Sequence, residues 1–371
     1  MRKLTVAIVF LLITSLWSQA CWAKEPATPE LKLQGAIDLA LKNDNSIEKS
    51  SLNIEKAKEQ RENASDSVTY SPGDVQNAAA DTAWYGLLSA DLSWMMSKKT
   101  YAADEDSLVL SVCEKYWNVQ ESIEDLKAKE VAAAAAELTF RRVQTMVKLG
   151  MTPPDYASAS PEGVLAGAGA KYNTAKSDLE KAKNKLNTDY ETLNQMIGLW
   201  PEDRPVLVEE VGFEPLKEVV LEYEVQRVLE KSPKVWQAEE SINLAKFASQ
   251  KMWASGQYTP YEVRKIEKEQ AELDAASAKE AVALATRSLY YTVRNLEAAM
   301  PVAEKGVAGA EESLRVAKLT YDLGMITRED LLKAESALED AKKGLLELKA
   351  NHAYAKLAFQ KPWAVSAGGG A

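Results

Sequence analysis

The 371-residue chain is short of nearly everything that small-molecule chemistry uses. It has one histidine, His352, and two cysteines, Cys21 and Cys113. A solitary histidine with no Cys or His at ligand spacing offers no zinc-type metal site, and it cannot complete a Ser-His-Asp set. No glycine-rich loop of the phosphate-cradling kind is present. Carboxylates are abundant, but they stand beside lysines on helical surfaces, as on any solvated face. Asp104-Glu105-Asp106 fits the acidic first turn of a helix starting near Ser107. The chain thus offers no catalytic, cofactor-binding or metal-binding residue, and no enzyme is expected.

Positive charge is also in short supply. Forty-five Lys and Arg face 55 Asp and Glu, for a formal charge of −10, and losing Arg2 and Lys3 with a leader makes it −12. Without a basic stripe interleaved with aromatics, nucleic acid is not an expected partner. Long apolar runs are confined to the start. Arg2 and Lys3, the apolar stretch Leu4 to Trp17 and Cys21-Trp22-Ala23 read as a secretory signal peptide over residues 1–23. A cut after Ala20 is the alternative. No later segment approaches the ~20 apolar residues of a membrane-crossing helix. Ser18-Gln19-Ala20 lacks the Leu usual three positions before a lipidated cysteine, so the lipidation of Cys21 is left open. If cleavage follows Ala23, Cys113 alone remains; a lone thiol makes no internal disulfide and reads as a small buried hydrophobe.

Glycine and proline number 17 and 13 and gather at a few joints, while Ala, Lys, Glu and Leu dominate, which is a composition for long helices. What fills the chain is repetition. Leu149-Gly150-Met151-Thr152 recurs as Leu323-Gly324-Met325-Ile326-Thr327, each between two long apolar-periodic stretches. Upstream, Leu41 to Ile47 lines up with Leu229 to Val235, and at the same offset Ile54, Ala57 and Lys58 fall on Ile242, Ala245 and Lys246. This is an internal duplication of helical hairpins. In the second copy Leu289, Val293, Leu296, Met300, Ala303, Val307, Ala310, Leu314, Ala317, Tyr321 and Gly324 alternate in fours and threes. Ala334, Leu338, Ala341, Leu345, Leu348, His352, Ala355 and Phe359 do the same after the turn. Such heptad seams predict left-handed coiled-coil packing, with Pro301 kinking one helix rather than ending it. Val112, Tyr116, Val119, Ile123 and Leu126 enter the first turn, and Ala175, Leu179, Ala182, Leu186, Asp189, Leu193 and Met196 leave it. Helices over 108–149 and 289–323 would reach roughly 50–60 Å at ~1.5 Å per residue. The expected architecture is mostly all-α and elongated, in two repeats of antiparallel coiled-coil hairpins. The first repeat covers 29–200, a Pro-containing linker 201–215, the second repeat 216–361, and a disordered tail 362–371 ends the chain.

Taken in order, these pieces resemble the TolC-type outer-membrane efflux proteins, the exit ducts of tripartite export pumps. The resemblance is carried by Ala36-Ile37-Asp38-Leu39-Ala40-Leu41-Lys42-Asn43 and the two Leu-Gly turns. Lys333 to Lys342 (KAESALEDAK) and Ile197-Gly198-Leu199-Trp200-Pro201 complete it, so that most of residues 30–360 is covered. It implies a homotrimer whose subunits each give hairpins to a helical barrel, exported to the outer membrane and periplasm. A periplasmic adaptor protein and an inner-membrane transporter are the implied partners. Leu149, Gly150, Met151, Leu323, Gly324 and Met325 would be adaptor-docking tips, with Tyr321 and Asp330 at the channel entrance. Lys333 stands where some relatives carry a second acid, and Pro153-Pro154-Asp155 makes the first tip depart from the pattern. Read without the resemblance, both tips are ordinary hairpin turns with a left-handed glycine.

The same family anchors itself with four β-strands per subunit. Trp84, Gly86, Leu88, Ala90, Leu92, Trp94 and Met96 alternate as in one such strand, within a possible β-hairpin around 66–97 that Val68 to Pro72 would pair. The window also fits a helix through Ala83, Leu87, Ala90 and Trp94. In the second repeat only Trp253 to Thr259 separates two helices. Two strands from each of three subunits make six, too few for an open barrel. A reduced or missing barrel is therefore expected, and with it a second function: an exported coiled-coil scaffold or interaction protein without channel activity.

Overall fold

The computed structural model describes residues 27–68, 77–151, 160–252 and 260–367. The leader expected at 1–23, the first tip beyond Met151 and the glycine tail 368–371 lie outside them. Among the described residues nine α-helices carry almost all of the fold, and the two strands β1 (Glu30–Leu31) and β2 (Val206–Leu207) are two residues each.

In the first repeat, α1 (Leu33–Asn43) and α2 (Asn45–Asp66) precede the 71-residue α3 (Ala78–Lys148). Helix α4 (Pro161–Ile197) then returns along it. The second repeat copies this plan: α5 (Leu221–Lys231), α6 (Pro233–Phe247, extended by a π-turn Ala248–Met252), the 62-residue α7 (Tyr261–Asp322) and α8 (Arg328–Gln360). A short α9 (Pro362–Ala367) closes the chain. Several joints carry a chemical cause. Asp44 caps α2, Asn77 caps α3, Ser160 caps α4 with Pro161 at the first position, and Ser232 caps α6 with Pro233 likewise. Helix α7 runs on through Pro301, with Met300 beneath it almost fully buried.

The long helices α3 and α7 are backbones along which shorter ones are laid. Toward the tips the order across the molecule is α4, α3, α8, α7; toward the other end it is α2, α3, α6, α7. At ~1.5 Å per residue, α3 spans about 105 Å and α7 about 93 Å. Both exceed the expected 50–60 Å. The difference for α3 is residues 78–107, where the strand alternation at 84–96 gives way to helix. Ala83, Leu87, Ala90 and Trp94, the helical alternative, are all half-buried, while Trp84, Leu88 and Met95 are exposed. The β-hairpin expected around 66–97 is thus not formed over 78–97: helix hydrogen bonding carried onward from α3 satisfies every backbone group locally, where an isolated strand would need a partner. Val68, expected to begin the pairing strand, follows the end of α2 as a turn residue; 69–72 lie outside the described residues.

The seams pack as the heptads imply. Leu314, Leu331 and Leu338 form one cluster with Val307, Ala310, Ala317 and Ala334 around it. Val293, Ala355 and Phe359 form another with Leu289 and Leu296. The largest core lies at the middle of the molecule, where Ala36, Ala40, Ile47, Val112, Tyr116, Val119, Leu193 and Ile197 meet. There β1 pairs in parallel with β2, and the Tyr116 hydroxyl donates to Leu31 O (3.0 Å) while accepting from Glu209 N–H (3.3 Å). This ties the N-terminal strand and the linker to α3. The tail, expected without structure from 362 onward, instead starts as α9. Its Trp363 Nε1 donates to Asp106 Oδ2 (2.7 Å), and Lys361 Nζ reaches Asp106 Oδ1 (2.5 Å).

Candidate functional site: the paired hairpin tips

Both Leu-Gly turns end their helices in the same way. Gly150 has φ +70° and Gly324 φ +72°, the left-handed conformation that a side chain disfavours. Met151 N–H bonds back to Met146 O (2.9 Å) and Gly150 N–H to Val147 O (3.0 Å). Met325 N–H bonds to Thr320 O (2.9 Å) and Gly324 N–H to Tyr321 O (2.8 Å). These are two Schellman motifs of equal geometry, and the duplication seen in sequence is a duplication of backbone form.

The apolar side chains at these turns face solvent. Leu149 is 69% exposed, Leu323 and Met325 74%, and Met151 and Tyr321 are exposed as well. Four large apolar side chains on two turns at one end of a rod are thus left exposed among the described residues. Arg328 lies over the Tyr321 ring at 6.0 Å.

Asp330 has a local duty. It forms a capping box with Thr327, accepting from Thr327 N–H (3.1 Å) and the Thr327 hydroxyl (2.7 Å), while Asp330 N–H donates to Thr327 Oγ1 (3.3 Å). The Thr327 hydroxyl, then the Thr327 backbone and the nearby Lys333, hold the Asp330 carboxyl below the usual range.

One residue before it stands a group that the sequence did not single out. Glu329 is 5% exposed; its Oε2 lies 3.0 Å from Arg142 Nε of α3 and its Oε1 2.7 Å from Lys333 Nζ. Lys333, expected only to weaken an acidic entrance, is held protonated chiefly by this hydrogen bond to Glu329. The ion triad bolts the second tip to the first hairpin, so the two turns stand at the same end. Only the pairing of Arg142 with a residue 187 positions away reveals the triad, and no local pattern encodes that.

A second junction joins two of the recognised motifs. Asn43 Nδ2 donates to Ile197 O (3.0 Å), so the end of the 36–43 run meets the Ile197-to-Pro201 ending. Gly198, at φ +73°, leaves no room for more: a Cβ there would lie 2.7 Å from Asn43 Nδ2.

Between α2 and α3 the chain has 11 residues (67–77), and between the π-turn and α7 it has eight (253–260). A membrane β-strand takes about 9–11 residues, so a strand pair with its turn needs about 20. Neither connection is long enough. No helix among the described residues is long and apolar enough to cross a membrane.

No family model matches the chain, and no curated protein matches it in sequence. Solved structures do match in fold. CusC, described as forming a transmembrane channel, superposes with a TM-score of 0.64 at 12% identity, over 91% of this chain and 93% of its own. The CmeC outer membrane channel of Campylobacter jejuni gives 0.62 at 14%, over 92% and 90%. The open-state MtrE outer membrane channel of Neisseria gonorrhoeae gives 0.59 at 18%, over 90% and 88%. The chain therefore has the fold of an outer-membrane channel protomer, the fold that its resemblance to the TolC-type proteins implied.

Proposed function

We propose that the protein is a duct subunit of an envelope export pump, exported and acting at the outer membrane and periplasm as a homotrimer. Leu149, Gly150, Met151, Leu323, Gly324 and Met325 dock a periplasmic adaptor, which couples the duct to an inner-membrane transporter. Tyr321 and Asp330 lie at its entrance, where Asp330 contributes fixed shape more than free charge because its carboxylate is committed to the cap. The supporting observation is the pair of matching turns at one end of a rod, each offering bare Leu and Met side chains. The subunit is not an enzyme, and the reading uses no cofactor. Its domains are taken as the leader 1–23, the two repeats 29–200 and 216–361, and the linker 201–215.

A second reading, an exported coiled-coil scaffold that docks partners without conducting, is favoured by the 11- and eight-residue connections. Cysteines placed at Met151 and Met325 and crosslinked in intact cells distinguish these ideas from an unrelated rod. The expected product joins both tips to one exported adaptor, and native mass spectrometry gives a trimer. A soluble monomer with neither tip crosslinked would remove both readings. Conductance of the trimer in planar bilayers selects the duct; a trimer that never conducts selects the scaffold.

A further inference from the structure

At the end opposite the tips, α6 and α7 enclose an open hollow of about 700 Å³ lined by Lys246, Ser249, Gln250, Tyr261, Lys265 and Lys268. Two helix faces build it. Tyr261, Lys265 and Lys268 follow an i, i+4, i+7 spacing on α7, and Lys246, Ser249 and Gln250 an i, i+3, i+4 spacing on α6 and its π-turn. No carboxylate among the described residues lines it, although the chain carries ten more acids than bases. Lys268 has an exposed pairing with Glu272 (3.1 Å), of the kind that water and salt weaken. Glu267, the other near acid with a partner, is taken by Arg264 (2.9 Å). Lys246 and Lys265 have no ion pair among the described residues, and both are exposed. Ser249 is buried and donates to Lys246 O (2.8 Å), which fixes its hydroxyl oxygen at the wall.

We propose that this hollow binds a phosphate-bearing anion. Three lysines line one space, two of them without an ion pair among the described residues and the third held only by its exposed pairing with Glu272, and Lys is an effective point charge for phosphate oxygens. Tyr261 and Gln250 contribute neutral polar groups. The volume exceeds a lone phosphate and suits a phosphodiester or diphosphate with its substituent. Such a phosphate can come from a phospholipid headgroup or from a free anion. The site stands on these side chains and not on the duct reading, so a monomeric, non-conducting protein that bound phosphate would leave it intact.

The test uses the full mature chain with two probes. Calorimetry follows inorganic phosphate and pyrophosphate; flotation follows vesicles of phosphatidylcholine with and without phosphatidylglycerol. Lys246→Gln with Lys265→Gln is expected to weaken binding about thirtyfold, since each surface lysine contributes about a factor of five toward anionic lipid. Lys181→Gln with Lys183→Gln on α4 serves as the charge-matched control and should bind as the unaltered chain does. Binding that requires phosphatidylglycerol assigns the source to a lipid, and binding of the soluble anions alone assigns it to a free phosphate. Absence of binding in every arm, undiminished binding by the first variant, or equal loss in both variants overturns the proposal.

Discussion

Replacing Glu329 by Gln tests whether the two tips move as one body. The carboxylate is 5% exposed and serves two cations, Arg142 at 3.0 Å and Lys333 at 2.7 Å, whose side chains are 34% and 59% exposed. Removing one partner of a fully buried pair costs about 3–5 kcal/mol, because the other charge is stranded. An exposed pair is worth about 0–1 kcal/mol. Here the anion is buried but both cations can swing into water, so a value between these limits, about 1.5 kcal/mol, is expected. That corresponds to roughly a tenfold rise in the local opening equilibrium. Native-state hydrogen exchange reads it out, residue by residue. Amides at the end of α3 near Arg142 and at the start of α8 near Glu329 should both exchange about ten times faster. Asp330→Asn, which damages the capping box and a 3.8 Å pairing with Lys333 but leaves Glu329 facing Arg142, should speed exchange in α8 alone. The cycle of Glu329→Gln with Arg142→Gln should leave about 1 kcal/mol of coupling. If Glu329→Gln affects only α8, or the coupling is below about 0.3 kcal/mol, the tips are not bolted together and the triad is a surface feature.

Three further outcomes follow from the geometry. Gly324→Ala should cost about 1 kcal/mol for its left-handed backbone, whereas Gly198→Ala should cost about 2–3 kcal/mol because its Cβ would also drive Asn43 from Ile197 O; urea melts giving equal losses would contradict this. Burial, only partly offset by a backbone hydrogen bond, pushes the Cys113 thiol up to about 11. At pH 8 about one thiol in a thousand is then thiolate, so a chain cleaved after Ala23 should resist a disulfide reagent until it unfolds. Burial pushes the Glu297 carboxyl up, but Leu216 N–H, Arg294 and His352 together hold it below the ordinary range. A depressed carboxyl stabilises fully above the ordinary value of about 4.3 and loses that contribution as pH falls through the lower folded value. Acid should therefore loosen the segment around Leu216 from α7 below about pH 4, and Glu297→Gln should be loose at every pH by the same exchange measurement.

The parts of the fold legible in sequence are those encoded by neighbours along the chain. Val293, Met300, Leu314, Leu338 and His352 were placed on seams by spacing alone, and all are buried. Gly150 and Gly324 were legible because a left-handed C-cap has a residue preference. Asn43 and Ile197 were legible only as members of two separate motifs, and their hydrogen bond needed the fold. Glu329 was not legible, since an acid in the first turn of a helix already has a sufficient local reason to be there. Trp363 was read with the glycine tail because composition cannot distinguish a loose end from a short helix pinned to Asp106. The lysines of the α6–α7 hollow likewise look like solvated charges until two helices bring their faces together.

The stretch 84–96 marks where local pattern has two answers. Its apolar residues satisfy both the two-residue and the 3.6-residue period, so amphipathicity cannot choose. Backbone satisfaction can. A strand at 84–96 needs a partner to satisfy its backbone, and no strand among the described residues lies beside it. A helix needs no partner, and it continues into the strongly helical 108–148 without the cost of a new nucleus. Side-chain contacts then reinforce the choice: the Lys98 ammonium lies 3.3 Å from the Trp94 ring centroid, one helical turn away, and Arg61 of α2 pairs with Asp91 at 2.5 Å while also covering Trp94. Trp94, one of the tryptophans that suggested a membrane girdle, is thus explained as a contact within and between helices.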